Sequence, residues 1–358
     1  MELRRRGTQL VPSHVCVIGV GAVTSVGIDA IMTAASVRAG VTRFAESRFV
    51  DRAGEPMVFS RVSFLPEVCR GVDRLVAIAG PSVRQALLAV SNHVRMSEPR
   101  GVVPLIGAPA PRPGWAAADA QQLVSQLVGC ADATLSGREA DVAPVGHVGA
   151  IAAVAKGAEL ITSGRAELVL AGGVDSYYDI DALEWLDETR RLHTERNADG
   201  FVPGEGAGFC LLASAVVAQQ LGVRVLARIR AVSITQEPYP LVSNGVCIGT
   251  GLTEAFHSAL GVLSDDERAD WTLCDMNGES FRATEWTYAY VRTGKKHRDP
   301  LALWHPADCY GDIGAASGSV MIALAIGAWS RGYARGKRCL IWTSSDEGAR
   351  GALLLEAA

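Results

Sequence analysis

The chain has no CxxC pair, no basic stripe interleaved with aromatics, no apolar stretch at its start and no low-complexity linker. Each absence narrows the reading. The eight cysteines (Cys16, Cys69, Cys130, Cys210, Cys247, Cys274, Cys309 and Cys339) are scattered, and several lie in apolar runs such as HVCVIGV and RCLIW. That pattern fits reduced, buried thiols and not a disulfide framework. A net charge of −4 without a basic stripe gives no reason to expect a nucleic-acid partner. The opening MELRRRGTQLVPSH lacks the core of a secretory signal. The uncharged run Ile313 to Ser330 is marginal for a membrane span, and its Gly, Ala and Ser content reads as a close-packed internal helix. A cytoplasmic protein without a membrane span is the expectation.

What is present points to an α/β protein. The 358 residues are 49% hydrophobic and 20% charged, with 38 glycines, enough for an extensive core and many tight turns. Strand-like runs (HVCVIGVGAV, ELVLAGG, GFCLLAS, VRVLARIRAV, RCLIW, GALLLEA) alternate with helix-like stretches at Asp73 to Val90, Ala150 to Ile161 and Thr253 to Leu263. Alternation of this kind predicts layers of helices on largely buried strands. Ala108 to Gly114, APAPRPG, reads as a loop.

A faint internal repeat runs through the chain. Gly146-His147-Val148-Gly149-Ala150 opens one small-residue helix and Gly311-Asp312-Ile313-Gly314-Ala315 another. Each leads to an apolar strand, LVLAGG or CLIWTSS, and then to a final one starting at Glu205 or Glu347. A repeat this long predicts two similar halves, 1–215 and 216–358, packed together.

These features resemble the thiolase fold, and their details resemble its β-ketoacyl synthase branch. Val17 to Gly27, VIGVGAVTSVG, is similar to that branch's opening strand and glycine turn. Asp73-Arg74 begins the helix after its first crossover. Asp199 to Gly208, DGFVPGEGAG, nearly repeats a signature of the family, and Leu170-Ala171-Gly172-Gly173 matches the strand after its nucleophilic helix. The resemblance implies a five-layer αβαβα fold of two pseudosymmetric halves. It also implies a cysteine thiolate that carries the acyl group, two histidines that stabilise developing negative charge, and a lysine just upstream of the second histidine.

Carried over position by position, the resemblance puts other residues in these places. The cysteine position holds His147, the first histidine position Asn277, the second Asp312 and the lysine position Ala307. Ser344-Ser345-Asp346-Glu347-Gly348 stands where the family has a Phe-Gly-rich gate. A helix N-terminus beside His147 would keep its imidazole neutral and favour Asp312 as a carboxylate. If the two face each other, they form either a His-Asp general-base pair or a hydrogen-bonded plug in a disused pocket.

The remaining candidates have plainer readings. Glu279 and Ser280 offer ligand contacts, but a polar turn explains them equally well. Cys309 reads as buried packing, Cys130 as a helix residue and Glu205 as holding a turn. His305 and Asp308 are too loosely spaced for a metal site, and Gly19, Gly21 and Gly27 miss the dinucleotide spacing. No cofactor or metal is expected.

Function follows from the replaced positions. The leading expectation is a catalytically inactive ketosynthase-like partner, adaptor or scaffold, for which chain-length-factor subunits are a family precedent. The alternative is an enzyme acting on acyl thioesters through His147 and Asp312. The family pairs across a dimer axis through the strand before the nucleophilic helix, here Asp141 to Val145, with Pro144 removing one donor. The resemblance also implies partners: a second copy or a ketosynthase-like subunit, an acyl carrier protein, or the toxin and spike of a type VI secretion cargo. Arg190, Arg191, Lys295, Lys296 and Arg298 are the sparse basic residues on which an acidic carrier protein would dock.

Overall fold

A computed structural model describes residues 15–91, 101–130, 135 and 140–358. The first part of the chain runs β1 (Val15–Thr24), α1 (Ala30–Arg38), a hairpin of β2 (Ala45–Val50) and β3 (Pro56–Phe59), then α2 (Gly71–Leu87), β4 (Val103–Gly107) and α3 (Ala117–Cys130). It continues through β5 (Asp141–Ala143), α4 (Gly149–Thr162), β6 (Leu168–Ser176), α5 (Ile180–Glu188), β7 (Glu205–Ser214) and α6 (Ala215–Gln220). The second part runs β8 (Ala227–Gln236), α7 (Thr250–Leu260), β9 (Trp271–Cys274), α8 (Ser280–Thr293), β10 (Leu303–Trp304) and α9 (Ala307–Tyr310), closing with α10 (Ser317–Ser330), β11 (Arg338–Ser344) and β12 (Ala349–Ala357).

The two parts repeat one topology. Outward from the centre, the first sheet reads β1, β7, β6, β4, β5 and the second β8, β12, β11, β9, β10. In each, the two innermost pairings are antiparallel and the two outermost parallel. The sheets join along a narrow antiparallel seam, Cys16 with Arg228 and Val17 with Ala227, so all ten strands form one hydrogen-bonded array. Helices α4 and α10 lie between the halves, each touching strands of both. They are apolar nearly all round and almost wholly buried, as a helix with sheet on both sides must be. Helices α2 and α3 cover the outer face of the first half and α7 and α8 that of the second. The result is the expected thiolase-like five-layer arrangement of two pseudosymmetric halves.

Strand faces follow from the layers. Val15, Val17 and Ala22 of β1 point into the central core around α4 and α10, whereas Cys16, Ile18 and Val23 meet α2 on the outside. A Cβ on Gly19 or Gly21 would sit 2.1 Å from Ala86 O or 2.0 Å from Ser82 O, so these glycines let α2 lie directly on β1.

Element limits differ from the sequence reading in several places. Strand β5 stops at Ala143, before Pro144, not at Val145. Strand β8 begins at Ala227, leaving VRVL as its approach, and β12 begins at Ala349 because Glu347 and Gly348 form a turn. Strands β4 and β9 are short and escaped the periodicity. The opening segment to His14 lies outside the described residues, and among those that are described no helix is long and apolar enough to cross a membrane.

Candidate functional site

Three glycines in the left-handed region shape the centre of the molecule: Gly146 (φ 64°), Gly311 (φ 73°) and Gly314 (φ 47°). The first starts a 3-10 turn, Gly146–Val148, that feeds α4 and buries His147. In the second half the equivalent turn is Gly314–Ala316, feeding α10. Asp312 therefore lies two residues ahead of its turn, while His147 lies within its own. The sequence repeat had placed both at the helix start, and Asp312 is corrected by this offset. Its carboxylate still meets the turn, since Gly314 N donates to Oδ1 at 2.8 Å.

The structure brings His147, Asn277 and Asp312 together. His147 Nε2 lies 2.8 Å from Asp312 Oδ1 and 2.9 Å from Oδ2, and Asn277 Nδ2 donates to Oδ2 at 2.7 Å. Both His147 and Asp312 are 3% exposed. Around them lies a second layer of ions, in which Glu279, Arg191 and Asp346 join Arg282 and Asp275, two residues that no sequence motif singled out. Arg282, on α8, brings Nη2 to 3.3 Å from His147 Nε2. It also donates to Asp275 at 3.2 Å, to Asp346 at 3.1 Å and to the carbonyl of Ser344. Arg191 grips Glu279 through Nε and Nη2 at 2.7 and 2.8 Å and reaches Asp346 at 2.7 Å. Asn277 and Glu279 close the ring, Nδ2 donating to Oε2 at 3.1 Å.

Charge in this cluster is strongly held. Burial works against the His147 imidazolium, yet the facing Asp312 carboxylate carries its pKa above the ordinary 6.5. The shift runs against the expectation of a neutral ring, because a full charge within hydrogen-bond distance acts more strongly than a helix-end dipole. Burial also opposes the Asp312 carboxylate, but His147 and then Arg282 bring it well below the usual range. Asp346 is likewise lowered, to about 2, by Arg191 and Arg282 against its burial. Asp275 moves the other way, its burial outweighing Arg282, and its Oδ1 has no hydrogen-bond partner among the described residues.

The chemistry open to such an arrangement is limited. In a working His-Asp base, one ring nitrogen faces the carboxylate and the other faces the substrate. Here Nε2 points at Asp312 with Arg282 alongside. The cleft next to Asp312, between Ala307, Tyr310 and Met321, has room for about one water.

Other named residues fall elsewhere. Ser280 is held by Asp199, through N at 2.6 Å and Oγ at 2.8 Å. Cys309 packs in the central core, and burial raises its thiol. His305 and Asp308 pair with each other at 2.8 Å near the surface. Glu205 does not merely hold a turn: it is fully buried and takes Arg74 Nε at 2.6 Å and Nη2 at 2.7 Å, with Val62 N and Ser176 Oγ completing its shell. Arg191 is enclosed in the ion cluster and withdrawn from any basic docking patch, and Lys296 caps the carbonyls of Leu263 and Ser264.

Comparison with known proteins agrees with this architecture. Residues 149–218 match the family profile of the β-ketoacyl synthase N-terminal domain. No curated protein matches the chain. Solved structures do: the ishigamide ketosynthase/chain length factor (17% identity, TM-score 0.78, 97% of this chain and 99% of that one) and the complex of a type II PKS acyl-carrier protein with its ketosynthase (15%, 0.77, 97% and 100%). A ketosynthase of module 6 of the Bacillus subtilis bacillaene synthase also matches (11%, 0.76, 96% and 72%). At these identities the structures establish the fold. With the matched segment, they uphold the resemblance to the β-ketoacyl synthase branch.

Proposed function

We propose that this chain is a non-condensing protein of the ketosynthase fold that works as a binding partner or scaffold. One observation carries the reading. The residue in the nucleophile's place, His147, is clamped between Asp312 and Arg282 in a buried ion cluster, and the cleft beside Asp312 has room for about one water. No thiolate stands there, and ring nitrogen Nε2 is turned to the Asp312 carboxylate. Breaking a buried ion cluster to admit an acyl chain would cost several kcal/mol.

In this reading the halves 1–215 and 216–358 act as one cytoplasmic scaffold, with β5 as the pairing edge for a second copy or a ketosynthase-like subunit. The chain-length-factor and carrier-protein complexes of similar fold make an acyl carrier protein the first partner to test, and a secretion toxin with its spike the second.

Incubation with acyl-CoA and acyl-carrier-protein thioesters, read by intact-mass spectrometry, tests inactivity. No adduct is expected. A covalent acyl group, or turnover lost on His147→Ala, would favour the alternative of an acyl-thioester enzyme using His147 and Asp312. A pull-down from the native host tests the partner: fatty-acid or polyketide enzymes support an assembly-line role, a toxin with its spike a secretion role.

A further inference from the structure

Away from the central cluster, three side chains converge where the loop after β8 crosses α8. Carboxylate oxygens of Glu237 and Glu285 and the sulfur of Cys247 all lie within 4.8 Å of one another. Glu285 is fully buried and Glu237 is 1% exposed, while Cys247 is half-buried and opens the group to solvent.

Glu237 makes the cluster more than a group of acids. Its Oε2 accepts Gly251 N at 2.7 Å in the first turn of α7. Its Oε1 is buried with no hydrogen-bond partner among the described residues. An acceptor in that state calls for a proton or a cation. The other two members are already oriented. Glu285 accepts Arg350 Nε at 2.5 Å and Ser344 Oγ at 3.0 Å, one on each oxygen, leaving a lone pair on each. Cys247 lies two residues before Gly249, which is left-handed at φ 65° and turns the loop into α7. Ligating carboxylates are characteristically supported by outer donors such as those on Glu285.

We propose that Glu237, Cys247 and Glu285 bind a divalent cation of the zinc class. Charge balance supports a dication: two carboxylates and a thiolate are offset by the ion together with the Arg350 guanidinium. One thiolate with two carboxylates suits zinc or cobalt better than magnesium or calcium, which take oxygen alone. The exposed side of Cys247 leaves the fourth position to water. The ion fastens the loop carrying Cys247 to α8 and, through Ser344 and Arg350, to the strands beneath the central cluster.

The test uses the full chain, stripped with a chelator and titrated with zinc by calorimetry, then with cobalt by absorption. One ion per chain is expected, with a sulfur-to-cobalt charge-transfer band. Cys247→Ser should abolish that band. Glu237→Gln, close in shape and able to fold, should weaken zinc binding by more than the roughly 10–100-fold that loss of an outer partner costs. Cys69→Ser should change neither. Failure of the wild type to take up zinc, or binding by Glu237→Gln equal to wild type, would overturn the site. Should Cys247→Ser not fold, the cobalt band of the wild type and the Glu237→Gln titration still decide.

Discussion

A single nitrogen, His147 Nε2, is shared by both carboxylate oxygens of Asp312 at 2.8 and 2.9 Å. The pair bridges the two halves of the fold, and removing one member strands the other's charge beside Arg282 and Asp275. Asp312→Ala should therefore lose about 3–5 kcal/mol, while the apolar double replacement His147→Leu with Asp312→Leu loses less than the single. Denaturant unfolding of both variants checks this. A double variant worse than the single would contradict the pairing.

The same pair sets a pH window. The raised His147 pKa contributes stability that is complete below 6.5 and lost as pH rises through the higher folded value. The depressed Asp312 pKa contributes stability that is complete above 3.8 and lost as pH falls through the lower folded value. The stability gap between wild type and His147→Gln should be widest between these limits and narrow on the alkaline side. A gap that widens from pH 6.5 upward would refute the imidazolium.

Arg74 and Glu205 make another interior ion pair, 1% and 0% exposed in their side chains. Glu205→Ala leaves Arg74 Nε and Nη2, Val62 N and Ser176 Oγ without their acceptor and should cost about 3–5 kcal/mol. A loss under about 1 kcal/mol, the size of a surface pair, would mean the site relaxes or hydrates.

Gly19→Ala should destabilise by about 1–3 kcal/mol, because its Cβ would overlap the Ala86 carbonyl. Gly129→Ala, in α3 with nothing within 4 Å of the added carbon, should be neutral or stabilising by up to about 1 kcal/mol. Thermal melts of the two variants side by side test whether close packing of α2 on β1 is the constraint.

Much of the fold was legible because its signals are local. Small-residue helices, apolar strands and the DGFVPGEGAG stretch sit at spacings that one chain displays. The seam between β1 and β8 was not legible, since two residue pairs leave no periodic trace. At the centre, His147, Asn277 and Asp312 could be placed by matching positions. Arg282 and Arg191 could not: an arginine on a helix or in a polar loop reads as solvated until the fold shows what surrounds it. Glu205 was misread for the same reason, because its partner lies 131 residues away. The Glu237–Cys247–Glu285 group was hidden because its ligands come from a strand end, a loop and a helix, with no motif spacing among them.

The position of Asp346 gives the central cluster an order in time. It lies in the turn between β11 and β12, the last hairpin of the chain, yet it neutralises Arg191 from the first half and Arg282 from the second. A growing polypeptide that has completed every earlier strand still carries both guanidiniums short of a carboxylate. A chain ending before Asp346 would leave Arg191 to Glu279 alone and Arg282 to Asp275 and Glu279, so the last hairpin supplies a carboxylate that ties both halves together at the centre.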